Sequence, residues 1–421
     1  MTDLRGPRVL SINAGLKRGE PSVYSRNHFS LTVRCRTDHA ERRAYTSFAK
    51  VSNKEALMND KSLRNTIRDL LADDKGILAM DESSPTCNQR FGALDIPKTE
   101  GCRRAYRELI VTTPGLGDYI SGAILYDETI RQLTRSGAPM GRVLTDAGIL
   151  VGIKVDRGAK PLAGFACELI TEGLDGLRER LVEYAGMGAR FAKWRAVIAI
   201  GDGIPTENCI ATNAEALARY AALCQEVGMV PIVEPEVIMD GPHTLSQCEK
   251  VTERVLESVF HQLSEQGVML EEMLLKPNMV LPGKQCQIQE SVDETADATV
   301  ECLLRAVPAA VPGVMFLSGG QSPQLACAGL NAMHVRFKNR LPWTMSFSFA
   351  RAIQQPALDC WKGQASNVAA AQRALLHRAR LSHFARRGQY CAAMENADPG
   401  IGEFTPAMEH AGLANPLISQ M

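Results

Sequence analysis

Lys276 stands in the run Met273-Leu274-Leu275-Lys276-Pro277-Asn278-Met279-Val280, where a cation interrupts an apolar, strand-like stretch. An amine attacks a carbonyl only when neutral, and a free lysine, with a pKa of ~10.4, is almost wholly protonated at neutral pH. Burial and neighbouring cations both favour the neutral form. Lys193 and Arg195, two residues apart in another strand-like run, are cations of the right kind if they lie close. Glu234 then suits a proton carrier beside an imine. Asp81, Lys154, Glu236, Ser318 and Arg351 complete a set rich in lysine, arginine and carboxylate. Such a set describes Schiff-base chemistry on a small, phosphorylated keto sugar, without a metal.

Eight short apolar stretches must position these groups. They are Gly76 to Ser83, Ile120 to Asp127, Leu150 to Asp156, Ala189 to Ile198, Val230 to Val237, the Lys276 run, Gly313 to Gly320 and Thr344 to Arg351. Most carry a charged or hydroxyl residue at or near an end. Helix-length segments separate them, which demands parallel strands, because antiparallel ones would need only short hairpins. The expected fold is α/β, a single (β/α)8 barrel with its active site at the C-terminal mouth of the strands, followed by a helical region and a flexible tail. Two helices are especially legible. One is expected over Thr212 to Val227, opened by a Thr212/Glu215 capping box and stopped by Gly228. The other runs from Val292 to Val307 and halts at Pro308. A third helical stretch spans Asn367 to Arg387.

Each candidate also has a bland reading. Glu236 paired with Arg195 serves a scaffold as well as a substrate. Lys154 fits a solvated strand end, and one Ser-Gly-Gly is a common turn. The set weighs more than its members, because burying so many charges without partners is costly. In many barrels the loops after the seventh and eighth strands hold a phosphate, and Ser318-Gly319-Gly320 and Arg351 fall there. Glycine lets backbone N–H groups approach a phosphate, and arginine grips it with two donors.

The bulk numbers fit an enzyme. The 421 residues are 45% hydrophobic with a formal net charge of zero, so charge gives no reason to expect nucleic acid or a membrane as partner. No apolar stretch approaches the roughly 18 residues of a membrane span. Twelve cysteines are scattered without a CxxC pair, and eight histidines never fall at HxH or HxxxH spacing. Reduced thiols in a cytoplasmic enzyme without a zinc site are the expectation. Residues 1–57 carry eleven Lys/Arg against five Asp/Glu. A disordered basic extension, or a start placed too far upstream, fits them better than an organellar presequence, given Asp3, Glu20, Asp38 and Glu41. The catalytic domain is expected over 58–391. Residues 392–421 hold four acidic residues and no Lys or Arg, and read as a mobile tail.

From about Asn59 to Glu395 the chain resembles the class I fructose-bisphosphate aldolases, closest to bacterial members. The matching runs come one per strand and in order: Gly76-Ile77-Leu78-Ala79-Met80-Asp81-Glu82-Ser83, Gly152-Ile153-Lys154-Val155-Asp156-Arg157-Gly158, Ala189 to Arg195, Val230 to Glu236, Leu274 to Val280, Phe316 to Ser322 and Ser346 to Ala352. The resemblance implies that Lys276 forms the Schiff base, Glu234 shuttles protons, and Asp81 takes the hydroxyl proton as the carbon–carbon bond breaks, with Lys193 holding charge nearby. It implies that Ser318, Gly319, Gly320, Ser348 and Arg351 bind the phosphate on the dihydroxyacetone half, and Ser83, Thr86, Arg90 and Lys154 the other. Arg103 and Arg195 join the substrate-binding set, and no cofactor or metal is called for. Partners would be the sugar bisphosphate, its triose phosphates and further copies of the chain in a homotetramer. The implied reaction is reversible cleavage of fructose 1,6-bisphosphate. A Schiff-base barrel acting on sedoheptulose bisphosphate or transferring a three-carbon unit, and a binding protein without turnover, are the alternatives.

Three departures stand out. Thr86 replaces serine, keeping the hydroxyl, and Phe349 replaces tyrosine, losing one. The tail ends Ser419-Gln420-Met421 rather than in tyrosine, which puts tail-assisted proton transfer in doubt. The run Gly201 to Asn208 is similar to bacterial members and favours the cytoplasm over a plastid.

Overall fold

The structure, a computed structural model, describes residues 63–337 and 340–396. The described residues form ten strands: β1 (Gly76–Ala79), β2 (Ile120–Leu125), β3 (Leu150–Lys154), β4 (Ala159–Pro161), β5 (Leu169–Thr171), β6 (Phe191–Ile198), β7 (Val230–Val237), β8 (Leu274–Leu275), β9 (Gly313–Phe316) and β10 (Thr344–Phe349). Eight of them close into a parallel barrel in the order β1-β2-β3-β6-β7-β8-β9-β10, with β10 returning to β1. β4 and β5 form a separate antiparallel hairpin in the loop after β3, which the alternation of strands and helices does not signal.

The barrel interior changes character along each strand. At the N-terminal end, Ile77, Phe191, Val230, Ile232, Leu274 and Met315 pack in one apolar cluster. Leu63, Ile67 and Leu70, on one face of the helix over 63–71, join that cluster and close the bottom of the barrel. Two residues on, the same inward faces turn charged: Phe191 is followed by Lys193, Ile232 by Glu234, Leu274 by Lys276. The period of two along a strand thus stacks an apolar layer beneath a layer that can do chemistry. A second, larger cluster fills the space between the barrel and its helices.

The rings that fill the base need neighbours without side chains. A Cβ on Gly152 would sit 2.2 Å from the Phe191 ring. Gly152→Ala is therefore expected to destabilise the enzyme by about 1–3 kcal/mol through overpacking. Urea unfolding would show this as a lower midpoint with an unchanged slope.

The helix expected from Thr212 begins earlier, at Glu207, and runs to Glu226. Thr206 is its N-cap, accepting from the Cys209 backbone N–H, so Thr212 falls in the second turn. Cys209 and Ile210 are buried, and packing extends the helix back to the first hydroxyl able to cap it. The helix Val292–Ala306 has the capping box Ser291/Glu294, and Val368–Arg386 matches the third helical stretch. Residues 1–57 lie outside the described residues, as do 397–421 of the expected tail. Its first residues form the turn Ala392–Asn396, in which Glu395 pairs with the buried Arg378 at 2.6 Å and accepts from the Tyr390 hydroxyl at 2.8 Å.

Candidate active site

The strand ends open into a cavity of about 870 Å³. Asp81, Ser83, Thr86, Arg90, Lys154, Lys193, Arg195, Glu234, Lys276, Ser318, Gly319, Ser348 and Arg351 all line it. Residues as far apart in sequence as Asp81 and Arg351 thus meet in one place.

At its floor four charged side chains form a chain of contacts. The Glu234 carboxylate lies 3.0 Å from the Lys276 ammonium through one oxygen and 3.2 Å from that of Lys193 through the other. Lys193 reaches on to Asp81 at 2.6 Å. All four are buried, none more than 8% exposed. The register explains the arrangement: β6 and β7 pair Arg195 with Glu234, so Lys193 and Glu234 project inward one step apart on adjacent strands. Lys276 is the first residue past β8, and its backbone N–H still donates to the Val233 carbonyl at 2.8 Å, fixing it beside Glu234. Arg195 instead pairs with Glu236, so its charge stands one carboxylate further from Lys276.

Burial alone would push the Asp81 carboxyl up. The Lys193 and Lys276 cations outweigh it and hold the group at about 2. Glu234 is likewise lowered, burial opposing and Lys193, Lys276 and Arg195 prevailing. Burial disfavours the Lys193 ammonium, yet its two carboxylate neighbours raise its pKa and keep it charged.

Two groups of anion-binding chemistry flank this floor. On one side, Gly319, Ser348 and Arg351 adjoin the start of the helix Arg351–Trp361, which has no side-chain cap. Its first N–H groups are thus available to an anion. The Ser348 hydroxyl is buried without a hydrogen-bond partner, and Arg351 is exposed and pairs with no described acid. Gly319 leaves no room for a side chain, since a Cβ there would meet the Glu236 carboxylate at 2.4 Å. On the other side are Ser83 and Thr86, whose hydroxyls lie 3.0 Å apart, with Arg90 and Lys154. Lys154 is anchored by Asp156 at 2.6 Å.

Two expected residues do not line the cavity. Arg103 is held by both oxygens of Glu128, at 2.8 and 2.6 Å, and by Asn88 at 3.0 Å. Gly320 has a φ of 75° and serves the turn, where a Cβ would strike Met239. Other lining residues had no individual signal: Tyr126, Asp127, Arg131, Arg157, Arg180 and Tyr184 at the mouth, and Glu82 and Asp156 behind the cations. Asp156 is the most legible of these, because its spacing from Lys154 places both on one face.

The family model for class-I fructose-bisphosphate aldolase matches residues 62–406. The chain belongs to that family. It is 55% identical over 334 residues to a protein of Xanthomonas campestris pv. campestris named probable fructose-bisphosphate aldolase class 1, covering 79% of this chain and 99% of that one. A cytosolic fructose-bisphosphate aldolase of Arabidopsis thaliana is 50% identical over 78% of this chain and 82% of its own. Among solved structures, the aldolase of Plasmodium falciparum, crystallised with TRAP and a small-molecule inhibitor, superposes with a TM-score of 0.77 at 44% identity. That match covers 79% of this chain and 96% of the other. As a class I aldolase, the chain works through a lysine imine and needs no metal.

Proposed function

We propose that Lys276 is the lysine that forms the imine, and that Glu234, Lys193 and Asp81 move or hold the protons around it. The enzyme is a lyase that cleaves fructose 1,6-bisphosphate reversibly to dihydroxyacetone phosphate and glyceraldehyde 3-phosphate, a step of glycolysis and gluconeogenesis. The observation that carries the assignment is the position of the Glu234 carboxylate, in contact with both Lys276 and Lys193.

The chemistry follows from these contacts. Neutral Lys276 attacks the substrate ketone, and Glu234 gives and takes the protons that turn the carbinolamine into a protonated imine and water. That iminium is the electron sink. Asp81, kept ionised by Lys193, removes the proton of the hydroxyl on the far carbon of the bond that breaks, so that this carbon becomes the aldehyde. The electron pair of the carbon–carbon bond passes to the iminium, releasing the aldehyde and leaving an enamine. Protonation of the enamine and hydrolysis of the imine free the second product and Lys276.

Binding rests on the two flanking sites. Ser318, Gly319, Gly320, Ser348 and Arg351 would take the phosphate of the dihydroxyacetone half, and Ser83, Thr86, Arg90 and Lys154 the other, with Arg195 between. Arg103, already held by Glu128 and Asn88, argues for a supporting place behind the second site. The test is a steady-state assay in EDTA. The wild-type chain should retain cleavage, and Arg351→Ala should raise KM for the bisphosphate about 10- to 100-fold. Since Arg351 is exposed and unpaired among the described residues, its unfolding midpoint should barely move. Unchanged KM would remove Arg351 from the phosphate site.

The same reading includes a homotetramer working in the cytoplasm and a catalytic domain over 58–391 with an extension before it and a tail after. Relatives named cytosolic support the compartment, although chloroplastic ones match as well. No described helix is long and apolar enough to cross a membrane.

A further inference from the structure

Glu82 follows Asp81 directly, yet its side chain turns away from the cavity floor. One carboxylate oxygen accepts from Arg90 at 2.5 Å and the other from Arg107 at 2.7 Å. Arg107 is buried, with 2% of its surface exposed, and also donates to the Glu82 backbone carbonyl at 2.9 Å. It lies on the helix Glu100–Val111, outside the cavity lining. Arg90 does line the cavity, and its remaining terminal nitrogen donates to Gln355 at 3.1 Å. Its Nε–H is buried and has no acceptor among the described residues. Arg90 is thus held through one N–H of each terminal nitrogen, and the second N–H of each is left for an incoming oxygen.

We propose that Glu82 is a positioning residue: clamped by Arg107, it aims the Arg90 guanidinium at the phosphate remote from Lys276, and so sets the preference for a sugar bisphosphate over a sugar monophosphate. The inference rests on the assignment of Arg90 to that second phosphate. Arg107 supplies a fixed anchor because it is buried and pairs with no other acid among the described residues. Arginine entropy is large, and holding the fork in place before binding spares that loss when the anion arrives. Glu82 touches neither substrate nor the reacting atoms in this scheme.

The experiment compares Glu82→Gln, Gln355→Ala and Arg90→Ala with the wild type on fructose 1,6-bisphosphate and on fructose 1-phosphate, which lacks the second phosphate. Glu82→Gln is expected to raise KM for the bisphosphate about tenfold with little change in kcat, and to leave kcat/KM for the monophosphate within about twofold. Gln355→Ala, which unpairs no buried charge, should move the same KM in the same direction by about twofold to threefold. It decides the question if Glu82→Gln fails to fold. A loss equal on both substrates in the folded variants would make Glu82 a structural residue only and overturn the proposal. If Arg90→Ala itself fails to discriminate the two substrates, the phosphate assignment beneath it falls instead.

Discussion

Lys276→Ala should lower kcat for fructose 1,6-bisphosphate by roughly 10⁴-fold or more, with the fold intact. The size of the loss follows from the role: without the amine there is no imine, and the carbon–carbon bond has no electron sink. The survival of the fold follows from the contacts. Removing Lys276 does not orphan Glu234, whose second oxygen remains 3.2 Å from Lys193. The alanine also leaves a space open to the cavity, which water can fill. Circular dichroism and thermal unfolding should therefore match the wild type closely. A variant that kept more than about a hundredth of the activity would move the nucleophile elsewhere.

Lys193→Met is the variant in which stability and activity should fail together. Lys193 is the shared cation of two buried carboxylates, Asp81 at 2.6 Å and Glu234 at 3.2 Å. Breaking a buried ion pair by removing one partner costs about 3–5 kcal/mol. Loss of preorganised charge at the reacting centre should lower kcat by about 10²–10³-fold. The pH dependence gives the sign. In the wild type Asp81 sits at about 2, below its unfolded value of ~3.9. Its contribution, on the order of 2 kcal/mol, is full above the unfolded value and is lost as pH falls through the folded one. Lowered Glu234 acts in the same sense. Without Lys193, burial dominates and the carboxyls take up protons more readily. The deficit of the variant should be greatest near about pH 7.5 and shrink towards about pH 5. Urea unfolding at the two pH values measures this, and an equal deficit at both would show that the ion pairs are not its source.

The barrel is legible in the sequence because two signals agree. Apolar runs of strand length recur at helix-length intervals, and polar residues gather at their ends. Lys276, Glu234, Lys193 and Asp81 stand out because charge inside an apolar strand has few structural excuses. The long-range pairing is another matter. That Glu234 reaches both lysines depends on the register of β6 against β7 and on the ladder continuing through Lys276, neither of which spacing along one chain specifies. Arg107 shows the converse. It reads as one more polar position on a helix, and only the packing of that helix beside the end of β1 brings it against Glu82. The β4–β5 hairpin escapes for a simpler reason, since three-residue strands carry too little pattern to be seen. The start of the helix Glu207–Glu226 was displaced because two threonines with capping chemistry compete, and tertiary packing chooses between them.

The measurement that tests the central claim most directly is borohydride reduction of the purified chain in EDTA with fructose 1,6-bisphosphate, followed by peptide mapping. The account predicts a stable three-carbon phosphate adduct on Lys276, absent without substrate and absent in Lys276→Ala. An adduct on Lys193, or a folded protein that binds the sugar phosphate and yields no adduct, would contradict it.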